Sequence, residues 1–388
     1  MPARTYTLHF DPKLSKNPNG NDVRDGLSAA VLTGDNLWLC CDERTTLECL
    51  RRTGPRTFGQ HCSYKLSELV DLPEKATEEI DLEGMGEAEN YLWVLGSHSI
   101  KRKNAKPEEP NIAKQINRLT KIEVAPNRCL LARIPLVRNP TSGDYELCKT
   151  AKHPTASGQK LRAAQLRVDK HGTNELLKVL AKDPHIGPAL KVPAKDNGLD
   201  IEGLAASPDG RLFLGLRGPV LHGWAIVLEI RPEEYKKGKL RLGELEGGGH
   251  KLYKKHFLDL RGMGIRELRQ QGTDLLVLAG PTMDLDGSIA IYRWPDALFQ
   301  AHDSLTPADQ LERLLDVPHL PHLDRAEGMA LLSEQEMLVV FDKPAPARKP
   351  RPHTALANSY QLPNRLYSGL AHQGGSHSAV NPHLCIHH

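Results

Sequence analysis

No apolar run in this 388-residue chain approaches the roughly 18 residues that a membrane-spanning helix requires, so no span is expected. The opening Met1-Pro2-Ala3-Arg4-Thr5 lacks the apolar core of a secretory leader and leads straight into a strand pattern. Seven cysteines, two of them adjacent as Cys40 and Cys41 in an apolar segment, do not make a disulfide framework. Together these absences point to a reducing, cytoplasmic setting. A net charge of +3 is too small for the basic footprint of a nucleic-acid binder of this size. Catalytic signatures are also missing: there is no Gly-x-Ser-x-Gly elbow, no His-Glu-x-x-His and no Cys-x-x-Cys pair. Gly247-Gly248-Gly249 has no strand–helix context for a phosphate cradle. Asp284-Leu285-Asp286-Gly287 lacks the flanking acids of a calcium loop and reads as a hairpin turn. Nucleophilic catalysis by serine or cysteine has no support.

What the chain does have is repetition. An acidic residue, a glycine and an apolar residue open a short strand, a turn follows, and a second apolar strand ends on polar residues. Asp200-Ile201-Glu202-Gly203-Leu204 precedes Leu212–Arg217, and Asp81-Leu82-Glu83-Gly84-Met85 precedes Leu92–Ser97. Glu327-Gly328-Met329 precedes Met337–Asp342, and Asp25-Gly26-Leu27 precedes Leu37–Leu39. A degenerate copy, Ile265-Arg266-Glu267-Leu268, precedes Leu275–Leu278, with Arg266 in the glycine's place. These marker positions, 26, 84, 203, 266 and 328, are separated by 58, 119, 63 and 62 residues. A hairpin of near-constant length recurring every ~60 residues predicts an all-β fold, a propeller whose blades carry long loops.

The 119-residue step decides the blade count. Doubling a ~60-residue period leaves room for a sixth blade, but residues 100–190 contain no acid-Gly-apolar opening. They hold a basic polar run, an apolar strand at Cys129–Val137, and a segment from Gln159 to Lys182 with helical spacing of its apolar residues. A single five-bladed propeller with helical insertions in blade two is therefore expected, six blades being the alternative. Third strands are expected at Cys129–Val137, Trp224–Ile230 and Ile289–Trp294. Fourth strands are expected at Ser67–Leu72, Ala189–Pro193, Phe257–Leu260 and Leu311–Val317. Thr5–Phe10 supplies the outer strand missing from the last blade and closes the ring. The domain then spans residues 1–363, and residues 364–388 form a disordered, histidine-rich tail.

In such a ring the opening acids and the ends of the second strands converge on one mouth of the central channel. The acids are Asp25, Glu83, Glu202 and Glu327; the strand ends carry Asp42, Ser97, Arg217, Gly280 and Asp342, followed by Glu43, His98, Gly218, Pro281 and Lys343. Four carboxylates in a narrow, partly dry channel cannot all stay ionised and unpaired. Some are protonated, or a cation neutralises them, or they bond backbone N–H groups of the next blade. An oxygen-only set favours a hard ion, Ca2+. Arg217 and Lys343 at the same mouth suit a small anionic ligand, with His98 as an acid–base group.

The phrases Asp81–Gly86 with Tyr91–Ser99, Asp200–Ala205 with Leu212–Pro219, and Leu275–Asp286 resemble a bacterial propeller family known only as a domain of unknown function. The resemblance covers roughly residues 20–345 and implies the fold but no reaction. More distantly, the acid-Gly-Leu opening is similar to repeats of esterase-like phytases and calcium-dependent apyrases. The apyrase likeness implies a central Ca2+ held by Glu83, Glu202 and Glu327. A Ca2+-dependent phosphoester hydrolase is expected on these grounds, a non-catalytic binding propeller and a lactonase-like hydrolase being the alternatives. Protein partners and oligomeric state are not legible.

Overall fold

The second strand of each repeat is apolar at consecutive positions because both of its faces are buried. In Asn36–Cys41, Trp38 and Cys40 pack on one neighbouring sheet, and Leu37 and Leu39 pack on the other. In Asp274–Gly280, Leu275 and Val277 face one way and Leu276 and Leu278 the other. Successive side chains of a strand point to opposite faces, so only a sheet sandwiched between two others tolerates such a run. The computed structural model describes residues 3–365, apart from 17–19, 76, 107, 247–249 and 284. The expected tail from 366, and the glycine triplet and Asp284 turn in whole or part, lie outside the described residues.

The fold is nearly all-β and propeller-like. Five antiparallel meanders succeed one another, and their first strands are Leu27–Thr33, Leu82–Ala88, Asp200–Ala206, Gly264–Gln271 and Arg325–Ser333. Each first strand contacts the next in that order, and the fifth returns to the first. Five apolar clusters fill the five spaces between neighbouring sheets. Arg4–His9 pairs with Thr354–Gln361 as the outer strand of the fifth unit. It also pairs, in parallel, with Thr57–Lys65 of the first, so two sheet edges cover one another. No helix among the described residues is long and apolar enough to cross a membrane.

The second unit departs from expectation. Its third strand, Leu131–Arg138, is flanked by two short pieces, Tyr145–Leu147 and Ala164–Leu166, in place of one outer strand. The helical spacing over 159–182 is therefore misleading in its first half. Lys160–Arg162 forms a hairpin with Thr150–Lys152, Ala164–Leu166 joins the sheet, and only Glu175–Leu180 is helical. Ala164 and Leu166 are buried in the sheet they complete, and Leu161 packs into the same apolar cluster from its hairpin, which outweighs local propensity. Two expected outer strands are also corrected. Ser67–Leu72 overlaps a helical turn, Leu66–Leu69, after the true strand Thr57–Lys65; Ala189–Pro193 overlaps the 3-10 turn Gly187–Lys191, which begins with Gly-Pro.

At the axis the five first strands are tied by one side chain. The buried Arg269 donates to the carbonyls of Ala30 (3.1 Å), Met85 (2.6 Å), Leu204 (2.9 Å), Leu268 (2.7 Å) and Met329 (2.6 Å). These five residues belong to the five different units. A guanidinium has five N–H donors in one plane, which suits a ring of inward carbonyls. Glu267, 2.8 Å from the same group, completes the plug.

Candidate functional site

A β-bulge recurs at the same point of every first strand. The register slips between Leu27 and Ala29, Leu82 and Gly84, Ile201 and Gly203, Ile265 and Glu267, and Ala326 and Gly328. The bulged residues are Ser28, Glu83, Glu202, Arg266 and Glu327. A bulge leaves one residue unpaired and re-aims its side chain. The glycine behind it has a separate cause: a Cβ on Gly84 would lie 2.8 Å from the Glu202 carbonyl oxygen. Glycine there lets the neighbouring first strand approach.

This register corrects two alignments made from the sequence. Asp25 stands three residues before the bulge, on a 3-10 turn, and pairs with Lys349 at 2.8 Å; Ser28 holds the ring position of the first unit. Ser28 is buried and donates to the Leu82 carbonyl at 2.6 Å. In the fourth unit Arg266 takes the acid's place, and Glu267 the glycine's.

A second tier comes from the residue that follows the partner of each pre-bulge residue, at or just past the end of each second strand: Asp42, Ser97, Arg217, Gly280 and Asp342. A third, two residues before each bulge, holds Gly26, Asp81, Asp200, Gly264 and Arg325. The three tiers carry seven carboxylates (Asp42, Asp81, Glu83, Asp200, Glu202, Glu327, Asp342) against Arg217, Arg266 and Arg325. Arg128 reaches in from the 3-10 turn Pro126–Cys129. It donates to Asp81 and, at 3.1 Å, to Ser97. Arg217 is clamped between Asp200 and Glu202, the latter at 2.6 Å. Arg266 binds Glu327 and lies 3.7 Å from Glu202.

The excess of acid moves protons. Burial, and then Asp81, Glu202, Glu327 and Asp42, push Glu83 well above the usual carboxylate range. No hydrogen bond or ion pair reaches Glu83 among the described residues, and it remains partly accessible. Burial followed by Asp342 and Glu327 pushes Asp42 up to about 8. Glu202 is also pushed to about 8 by burial, against the pull of Arg217 and Arg266. Asp342 reaches about 7 through burial and Glu327, offset by Lys343 and Arg325. Asp81 goes the other way: burial opposes its ionisation, but Arg128 outweighs it and holds the carboxyl below the usual range.

Of the remaining candidates, His98 turns away from this cluster and Lys343 borders it beside Asp342. His98 follows the tier residue Ser97, but at φ +55° the chain turns and buries the ring toward the insertion. Its Nδ1 donates to the Gly96 carbonyl at 2.8 Å, and its Nε2 accepts from the Asn174 amide at 2.9 Å. Burial lowers its pKa to about 4, and with both nitrogens engaged it has no proton to exchange at the mouth. Lys343, at the matching place in the fifth unit, has φ +47° and is exposed.

Among the described residues, no three His, Cys, Asp or Glu side chains converge closely enough to hold a metal ion. An ion held by the four predicted acids would require Asp25 to leave Lys349, and Glu202 and Glu327 to leave their arginines. The residues present do not form that cage. Asp81 and Asp200 were legible as a doubled Asp-x-Glu-Gly phrase. Arg128 carried no sequence signal, because it comes from a turn outside the repeat.

Known proteins add little chemistry. No curated protein matches the sequence. Solved structures with a similar outline include PQQ-bound aldose sugar dehydrogenase from Streptomyces coelicolor, at 11% identity and TM-score 0.34, covering 92% of this chain and 98% of that one. A putative oxidoreductase (glucose dehydrogenase) from Thermus thermophilus has 12% identity, TM-score 0.35, and coverage of 92% and 100%. Pseudomonas fluorescens PhoX in complex with vanadate has 10% identity, TM-score 0.32, and coverage of 82% and 58%. At this level of similarity none of them speaks to blade number or reaction. The family is clear, however: the chain belongs to the protein family of unknown function DUF3616, whose profile matches residues 26–358.

Proposed function

We propose that the chain is a five-bladed propeller, closed by residues 4–9, whose acidic mouth binds a small polar ligand and hydrolyses a neutral ester or lactone. The observation that carries this reading is the contrast between Glu83 and Asp81. Two residues apart, one carboxyl is unpartnered and pushed strongly toward its protonated form, and the other is held ionised by Arg128. Carboxyl groups driven apart in pKa are suited to acid and base roles at neutral pH. Asp81 would take a proton from the attacking water. Glu83 would give its own to the departing alkoxide as the ester C–O bond breaks, and exchange with solvent would restore both.

The same charge distribution argues against a phosphoester. Such a substrate needs a free cation to receive it, and Arg128, Arg217 and Arg266 are already bound to acids. An anionic ligand would need Arg217 freed from Asp200 and Glu202, or a cation such as Ca2+ to offset the acids. The rival reading, a binding module without turnover, is favoured by one fact: among the described residues no serine stands free at the mouth, Ser28 being bonded to the Leu82 carbonyl and Ser97 to Arg128 and Ser99.

The test is a hydrolysis screen over lactones, neutral nitrophenyl esters and phosphomonoesters, each in chelator and in Ca2+. Turnover of neutral esters in chelator is expected, and Glu83→Gln should lower kcat about 100-fold, the usual scale for losing a general acid. Turnover confined to phosphomonoesters with Ca2+ would replace this reading with the phosphoesterase one. Ligand-dependent melting shifts without turnover would leave the binding module.

A further inference from the structure

The insertion of the second unit shapes a half-open cavity of about 710 Å³ on the far side of His98 and Ser99 from the mouth residue Ser97, larger than the hollow of about 170 Å³ beside Arg269. Its walls are mainly apolar, with Ile100, Val124, Leu177 and Leu190 among them; His171 and Thr173 are among its polar groups, and Lys178 and Lys182 line it but no carboxylate does. The floor is held in place. Asn174 caps the helix Glu175–Leu180 by accepting from the Leu177 N–H at 3.0 Å, and its amide donates to His98 and to the Cys129 carbonyl. A preformed apolar cavity of this size with few polar groups is the usual form of a small-molecule site.

The lysines indicate the sign of the ligand. Lys178 lies 3.5 Å from Asp169, whereas Lys182 is exposed and makes no ion pair among the described residues. The approach indicates its length. Val124 at the cavity edge continues into Ile122, Leu119, Ile116 and Ile112, all exposed. Twelve large apolar residues are exposed in the described chain, and five fall within these thirteen positions. Ile112, Ile116 and Leu119 share one face of the helix Ile112–Leu119, whose charged residues are Lys114 and Arg118. Exposed apolar surface concentrated in this way marks an interaction site.

We infer that this cavity binds a single-chain anionic amphiphile, the chain lying in the apolar hollow and the anionic head between Lys178 and Lys182. The source is either a free acyl carboxylate or a chain presented by an anionic lipid surface.

Dodecanoate below its micellar threshold is the probe, followed by calorimetry on the full chain. Saturable one-to-one binding is expected, with no binding of dodecyltrimethylammonium. The double variant Lys178→Glu/Lys182→Glu should bind at least tenfold more weakly; both side chains are exposed, so its melting temperature should be unchanged. Absence of saturable binding would overturn the inference, as would equal affinity in the double variant or equal binding of the cationic amphiphile. A second arm uses phosphatidylglycerol–phosphatidylcholine vesicles. Vesicle binding that is lost in the double variant, alongside dodecanoate binding, would support the inference with lipid as a source. Vesicle binding without dodecanoate binding would overturn the cavity as the site.

Discussion

Arg266 and Arg269 lie three residues apart on one strand, both are almost fully buried, and their charges are balanced in different ways. Arg269 faces backbone carbonyls from all five units, which cannot titrate and cannot leave, and a single carboxyl, Glu267, which burial pushes up to about 8. Arg266 faces Glu202, which can take up a proton, and Glu327, and both can change partner or meet a ligand. One end of the channel is therefore a fixed joint and the other an electrostatically adjustable site. A buried charge costs little when its compensation is preorganised, and how that compensation titrates decides whether the position is structural or functional.

The sharpest way to break this comparison is Arg269→Met. Removing the cation leaves five carbonyls and Glu267 without their donor, so a loss of about 4 kcal/mol or more is expected, on the scale of a broken buried charge network. Urea denaturation should show most of this loss already at pH 5, where Glu267 is protonated, because the five carbonyls are left bare at any pH. Arg266→Met should behave differently. At pH 9 it sets Glu202 against Glu327 and should cost about 3 kcal/mol, shrinking toward pH 5 as the carboxyls accept protons. Equal losses for Arg266→Met at both pH values would erase the distinction between the two arginines.

The unmodified protein should show the titrating end directly. Asp42 and Glu202 at about 8, and Asp342 at about 7, lie above their unfolded values of about 4. The folded protein then holds protons that the unfolded chain has released, so stability falls as pH rises from about 4 through 8. Asp81, shifted down, contributes the opposite slope only below about pH 4. Thermal melts should therefore decline from pH 5 to pH 9, and Glu202→Gln should flatten the decline. The smallest effect belongs to Asp25→Asn. Its partly exposed pair with Lys349 should be worth about 0.5 kcal/mol, with no change in the pH slope. A slope change in that variant would return Asp25 to the ring.

The repeat by itself determined the all-β character and the five strand pairs, because a strand buried on both faces needs an uninterrupted apolar run, as in Leu275–Leu278. The run Asp42, Ser97, Arg217, Gly280 and Asp342 was also readable, since a fixed count from each strand centre reaches one tier. Only the tertiary structure decided which residue occupies the bulge. Asp25-Gly26-Leu27 matches the phrase in letters, yet pairing of Leu27 with Cys41 sets the bulge at Ser28. Register depends on hydrogen-bonded partners, and the acid-Gly pattern does not record it. His98 was misread for a related reason: its left-handed backbone turns the ring away from the mouth, and a positive φ is not legible from a histidine. Arg269 depends on neighbours brought together by ring closure, and Arg128 on the folding of its own unit, over distances along the chain that no local pattern spans.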